Sequence, residues 1–220
     1  MTNEPTKERV LIALEDAAFA FRRPVKLCEG TQNFDGFPEA FPVISKHIPV
    51  LSKTLGSMTQ YLSEGKETPE VNEKYAGVYE LAESCRKEAV YIFECFRTFT
   101  TETNIDVASK LEKYRQLVTN ANDTKIEDVM KTLLKQAVDV AVLPLVSDDL
   151  IKQLQDAQKE VAAVKPSLTD DPRETIKMIN NDKGTQFLHN GNGDQNHVSG
   201  GIQNTRPNNI YNYGLNGPPS

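Results

Sequence analysis

Residues 37–62 read FPEAFPVISKHIPVLSKTLGSMTQYL, and Phe41, Ile44, Ile48, Leu51, Leu55, Met58 and Leu62 recur in them at steps of three and four. That spacing lays one apolar stripe along a helix, and the stripe must be covered by other elements. Pro49 removes an amide donor in mid-run and crowds the carbonyl four residues earlier, so a kink or a break is predicted there. His47 is read on the polar side, next to the stripe.

Upstream, a first helix is predicted from Thr6 to Arg23, stopped by Pro24, with Arg22 and Arg23 at its negative dipole end. Val10, Ala13, Leu14, Ala17 and Phe21 form one face, and Leu11, Ala18 and Ala20 add apolar surface elsewhere. A helix apolar nearly all round belongs in a core; the functional alternative is a membrane-inserting or partner-binding element. Residues 24–37, PVKLCEGTQNFDGF, read as a loop.

Downstream, Thr68 caps a helix whose first residue is Pro69 and which is predicted to run to about Thr101. Tyr75, Val78, Tyr79, Ala82, Cys85, Ala89, Ile92, Phe93, Phe96 and Phe99 keep helical spacing, the natural partner of the first stripe. Cys85 and Cys95 fall in or beside this row and read as small buried hydrophobes. A shorter helix follows from Asn104 to Ala121. Thr124 and Glu127 then have the spacing of a capping box opening a helix toward Pro144. A sixth helix, Ser147 to Val164, carries Asp148 and Asp149 in its first turn and is placed on the outside as the most polar.

No strand is read before residue 164, so residues 1–164 are expected to form an all-α, six-helix bundle-like domain. Residues 165–183 read as a linker. From Gly184 to Ser220 the chain holds 8 Asn and 7 Gly, with Asp194 and Arg206 as its charges, a composition that cannot bury enough apolar surface to fold alone. This tail, read as disordered, repeats a word: Gly184-Thr-Gln-Phe187, Gly193-Asp-Gln-Asn196 and Gly201-Ile-Gln-Asn204. Amide side chains that can ladder, low charge and few prolines before Pro207 are ingredients of cross-β stacking.

Composition excludes several function classes. The chain has 220 residues, 38% hydrophobic and 25% charged, with net charge −6 and no basic run interleaved with aromatics, so nucleic acid is not an expected partner. No run reaches the length of a membrane span, and the N-terminal stretch lacks a basic leader and a cleavage site. Three cysteines without paired metal spacing fit a reducing compartment, and a cytoplasmic protein is expected. His47, His189 and His197 have no ligand-spaced partners, and phosphate-loop, dinucleotide and nucleophile-elbow motifs are absent. The sequence therefore predicts no catalytic residue, cofactor or metal.

Phe34-Asp-Gly-Phe-Pro-Glu-Ala-Phe41, His47-Ile-Pro-Val-Leu51, Thr54-Leu55, Cys85-Arg-Lys-Glu-Ala89, Phe93, Leu111-Glu-Lys-Tyr114-Arg115 and Ile126-Glu-Asp-Val-Met130 together resemble the SesA-type domain, over about residues 8–145. That domain stands at the N terminus of fungal NACHT and other NLR-type P-loop NTPases. The resemblance implies an α-helical effector or adaptor in nonself recognition, heterokaryon incompatibility and regulated cell death. No nucleotide-binding module is read within these 220 residues; the Asn/Gly/Gln tail is similar in character to amyloid signalling motifs of small fungal effectors. The favoured reading is a non-enzymatic signalling protein whose tail is templated by a similar segment of a protein partner, such as an NLR-type NTPase, or by its own copies. The tail residues for this are Gln186, Phe187, Gln195, Asn196, Ile202, Gln203 and Asn204. A helical interaction module with the tail as a tether is the alternative, and a membrane-disrupting toxin using the first helix is a third.

Overall fold

A computed structural model describes residues 5–31, 33–65, 68–100 and 105–168, together with 203–204 and 211–212. The chain divides into two units, Met1–Asp170 and Asp171–Ser220. Among the described residues the first holds seven helices: α1 (Lys7–Gly30), α2 (Ala40–Ser63), α3 (Pro69–Asn72), α4 (Tyr75–Thr100), α5 (Val107–Asn120), α6 (Ile126–Val140) and α7 (Asp148–Ala162). The body is all-α, and its helices share one hydrophobic core.

α2 is the hub. Every residue of its stripe, from Phe41 to Leu62, is buried, because α1 covers one side and α6 and α7 cover the other. α4 packs along α1 and also meets α5 and α6. α1 and α4 run parallel: Arg9 lies over the Tyr79 ring at 5.5 Å and Arg23 over the Phe93 ring at 4.7 Å, so both helices advance in the same direction between these contacts. α4 and the end of α6 approach closely at Gly77, where a Cβ would come within 2.7 Å of Val140 Cγ1.

Both prolines expected to interrupt helices sit inside them. α1 continues through Pro24 to Gly30, and the loop is confined to the residues after it. An interior proline costs about 3 kcal/mol, yet Pro24 and Cys28 continue the buried row of Phe21, and Val25 and Leu27 also pack on the core. Burying several such groups, at about 1.5 to 3 kcal/mol for a large one, outweighs the lost hydrogen bond. α2 likewise runs without a break through Pro49. The opposite correction applies downstream, where the single helix expected from Pro69 is two. The Lys74 N–H donates to Val71 O, a tightened three-residue step, before Val78 N–H to Lys74 O resumes the regular ladder.

Helix starts follow side-chain caps where these exist. Thr6, Thr68, Asp106 and Ser147 each accept from the amide three residues on. Asp106 thereby starts α5 later than Asn104. α6 departs from expectation. Its cap position is Lys125, with no side-chain cap bond, and the Thr124–Glu127 capping box does not form. The preceding turn holds Asn122 and Asp123 at φ 54° and 58°, a left-handed pair that these residue types tolerate. α1 is not buried all round, for Ile12 and Phe19 are 59% and 69% exposed. The body also reaches beyond residue 164, because Ser167 and Leu168 are buried in it although the linker was expected from 165.

In the second unit, β1 (Gln203–Asn204) pairs antiparallel with β2 (Tyr211–Asn212), with Gln203 opposite Asn212 and Asn204 opposite Tyr211. The expected disorder of the rest of the tail lies outside the described residues.

Candidate functional site

The stretch that carries the family resemblance builds a junction of rings. Phe34-Asp-Gly-Phe37 closes a turn by Phe37 N–H to Phe34 O, with Gly36 at φ +78°, a backbone setting that side chains disfavour. A Cβ on Gly36 would also meet Val107 Cγ2 at 2.8 Å. The turn delivers Phe37 against Phe99 at 4.8 Å between centroids. Phe41, at the start of α2, meets Phe96, Phe99 and Tyr114 edge-on at 4.9 to 5.3 Å. These residues join the α1–α2 loop, α2, α4 and α5. Their role is packing.

Beside the rings lies a buried polar cluster. Tyr114 Oη accepts the Ile126 N–H at 3.2 Å and lies 2.7 Å from Ser167 Oγ. Glu127, 2% exposed, turns inward and accepts the Ser167 N–H at 2.8 Å through Oε1. Its Oε2 is without a hydrogen-bond partner among the described residues. Lys125 Nζ donates to Leu168 O at 2.8 Å, and Tyr91 Oη donates to Thr124 O at 2.6 Å. The capping box fails for this reason: Glu127 is recruited by a residue 40 positions away, and the Tyr114 hydroxyl receives the first helical amide in place of Thr124.

The cluster clasps the chain where it leaves the body. Its Tyr114, Glu127 and Ser167 side chains are buried. Burial pushes the Tyr91 and Tyr114 phenols well above their usual range, with the Cys95 thiol adding to the effect. Burial likewise lifts the thiols of Cys28, Cys85 and Cys95 to about 12, so all three remain protonated at neutral pH and are poor nucleophiles. Cys85 and Cys95 are the small buried hydrophobes that the sequence predicts. Glu127 was misassigned to a cap, although one signal was available: 127, 130, 134 and 137 lie at helical spacing on one apolar row of α6.

A second bracket ties α2 to α7. His47 is buried, not on the polar side, and its Nε2 lies 2.9 Å from Glu160 Oε2, which also receives Lys46 Nζ at 2.8 Å. Hydrogen bonds first from Lys46 and then from His47 hold the Glu160 carboxyl below its usual range. Among the described residues no group of three His, Cys, Asp or Glu is placed to hold a metal ion. Among the same residues no helix is long and apolar enough to cross a membrane.

Of the tail residues singled out by sequence, Gln203 and Asn204 form β1. Gln186, Phe187, Gln195, Asn196 and Ile202 lie outside the described residues.

Comparison with known proteins agrees with the motif that builds the ring junction. The family model described as SesA, the N-terminal domain on NACHT NTPases and P-loop NTPases, matches residues 20–140, more than half of the chain. The match starts within α1 and ends at the last residue of α6, leaving α7 and the clasped exit outside it. No curated protein and no solved structure matches the chain.

Proposed function

Because this chain belongs to the SesA family, the N-terminal domain on NACHT and other P-loop NTPases, we propose that it is a non-enzymatic signalling protein acting through protein contacts in the cytoplasm. Its helical body serves as effector or adaptor in fungal nonself recognition or regulated cell death, and its tail is templated by a similar segment of an NLR-type partner or of another copy. Three observations support the body's part: its thiols are buried and protonated, its buried carboxylate is sealed, and its chain exit is clasped.

One observation supports the tail's part. Gln203–Asn204, the last two residues of the third Gly-x-Gln word, pair antiparallel with Tyr211–Asn212, and backbone pairing of this kind is what templating by a second segment would use. The two similar Gly-x-Gln words upstream would give a partner strand more than one register to extend.

The test is a peptide of residues 184–213. Templating predicts fibres with cross-β diffraction and amyloid-dye binding, which then seed the full chain. Proline at Gln203 should abolish both, since it removes a ladder donor. A peptide that stays monomeric and dye-negative, and full-length protein indifferent to seeds, would instead identify the tail as a tether for a helical interaction module.

A further inference from the structure

The outer face of α1 is built for contact. Phe19 stands at its centre and is 69% exposed, and Ile12, two turns earlier on the same face, is 59% exposed. Isolated exposed hydrophobes are ordinary, so the charges around these two decide the matter. Helical spacing places Glu15 and Arg22 on one flank of Phe19 and Asp16 and Arg23 on the other. Acids thus precede the phenylalanine on both flanks and bases follow it on both. The midpoint of each acid–base pair lies half a residue from Phe19, less than about 1 Å along the axis at 1.5 Å per residue.

This order is self-complementary under a two-fold axis at Phe19. Running a second α1 antiparallel across the first sets Glu15 opposite the other Arg22 and Asp16 opposite the other Arg23. Each flank meets itself, and the two Phe19 rings meet on the axis. Ile12 then lies level with Lys26 of the other copy, whose methylene stem can cover it. A parallel arrangement would instead oppose like charges at every level. Arg22 is already held at this face, with its guanidinium 5.3 Å from the Phe19 ring centroid, and Arg23 leans over Phe93 at 4.7 Å. Neither Glu15 nor Arg22 has an ion-pair partner among the described residues.

We infer that the outer face of α1 is an isologous docking surface for a second copy of this chain, an antiparallel α1–α1 pair centred on Phe19 and registered by Glu15/Asp16 against Arg22/Arg23. One helix face per partner is a small interface, so the dimer is weak and salt-sensitive. The surface belongs to the helical unit, and a dimer formed through it would bring two copies of the chain into one particle.

The experiment is sedimentation velocity on the full-length chain across a concentration series at low and high salt. The native chain should show a concentration-dependent dimer that recedes at high salt. The double variants Arg22→Glu/Arg23→Glu and Glu15→Arg/Asp16→Arg should each weaken it by about tenfold or more. Mixing these two variants should restore association, because an all-acidic face then meets an all-basic one. Phe19→Ser should also weaken the dimer while leaving the thermal melt unchanged, since the ring is exposed in the monomer. The inference is overturned by a native chain that stays monomeric, by a dimer indifferent to either charge reversal and to Phe19→Ser, or by reversed variants that fail to associate when mixed although both melt like the native chain.

Discussion

The ring junction and the polar clasp sit side by side and share Tyr114, yet they hold the body by opposite rules. In the junction Phe37, Phe41, Phe96 and Phe99 contribute area and ring geometry, and the cost of losing one ring grows with the volume removed. In the clasp the area is small and each group depends on its partner being present. A buried donor or acceptor left alone costs more than the bond it made. The junction is therefore graded and the clasp is conditional, and one tyrosine serves both through its two ends, ring and hydroxyl.

The largest effect is expected at the junction. Phe41→Ala removes a fully buried ring that touches four others, and chemical denaturation should show a loss of about 3 to 5 kcal/mol. A loss below 1 kcal/mol would mean that the neighbouring rings collapse into the space and the junction is not a rigid assembly.

A smaller but sharper effect belongs to the clasp. Glu127→Ala orphans the Ser167 amide and should cost about 1 to 3 kcal/mol, whereas Glu127→Gln keeps an acceptor and should cost less. Hydrogen exchange at Ser167 should rise in the alanine variant ahead of the rest of the body. Uniform loss of protection would contradict a local clasp.

The smallest effect distinguishes a sealed carboxylate from an open one. Glu160 is held by Lys46 and His47 at the surface, with its folded pKa depressed below the usual value of 4.5. A depressed carboxyl adds stability above its unfolded pKa, and that contribution is lost as pH falls through the folded pKa. Melting temperatures taken from pH 6 down to pH 3 should therefore fall less steeply for Glu160→Gln than for the native chain. Parallel curves would remove Glu160 from the acid limb.

Much of this was legible beforehand. The stripe of α2, the row of α4 and the burial of Cys85 and Cys95 follow from spacing, because a helix covered along one side must repeat its apolar residues every three or four positions. The cap at Thr68 was legible for a similar reason, since its partner lies three residues away. Pro24, Glu127 and His47 were not. Each carries a local signal, worth about 1 to 3 kcal/mol at most, that a distant element overrules. The first helix was expected in the core as apolar nearly all round, and the exposure of Phe19 depends on where α2 and α4 leave α1 uncovered.

The sequence by itself determined that the body is helical, which faces of most helices turn inward and that the tail is a different material, because these depend on composition and on repeats within a few turns. Only the tertiary structure decided that α1 outlasts its proline, that a carboxylate expected to cap a helix closes the body's exit, and that Ser167 and Leu168 belong inside. Those outcomes depend on partners 40 and more residues away, and the free energy of burying them together exceeds what any neighbouring residue contributes.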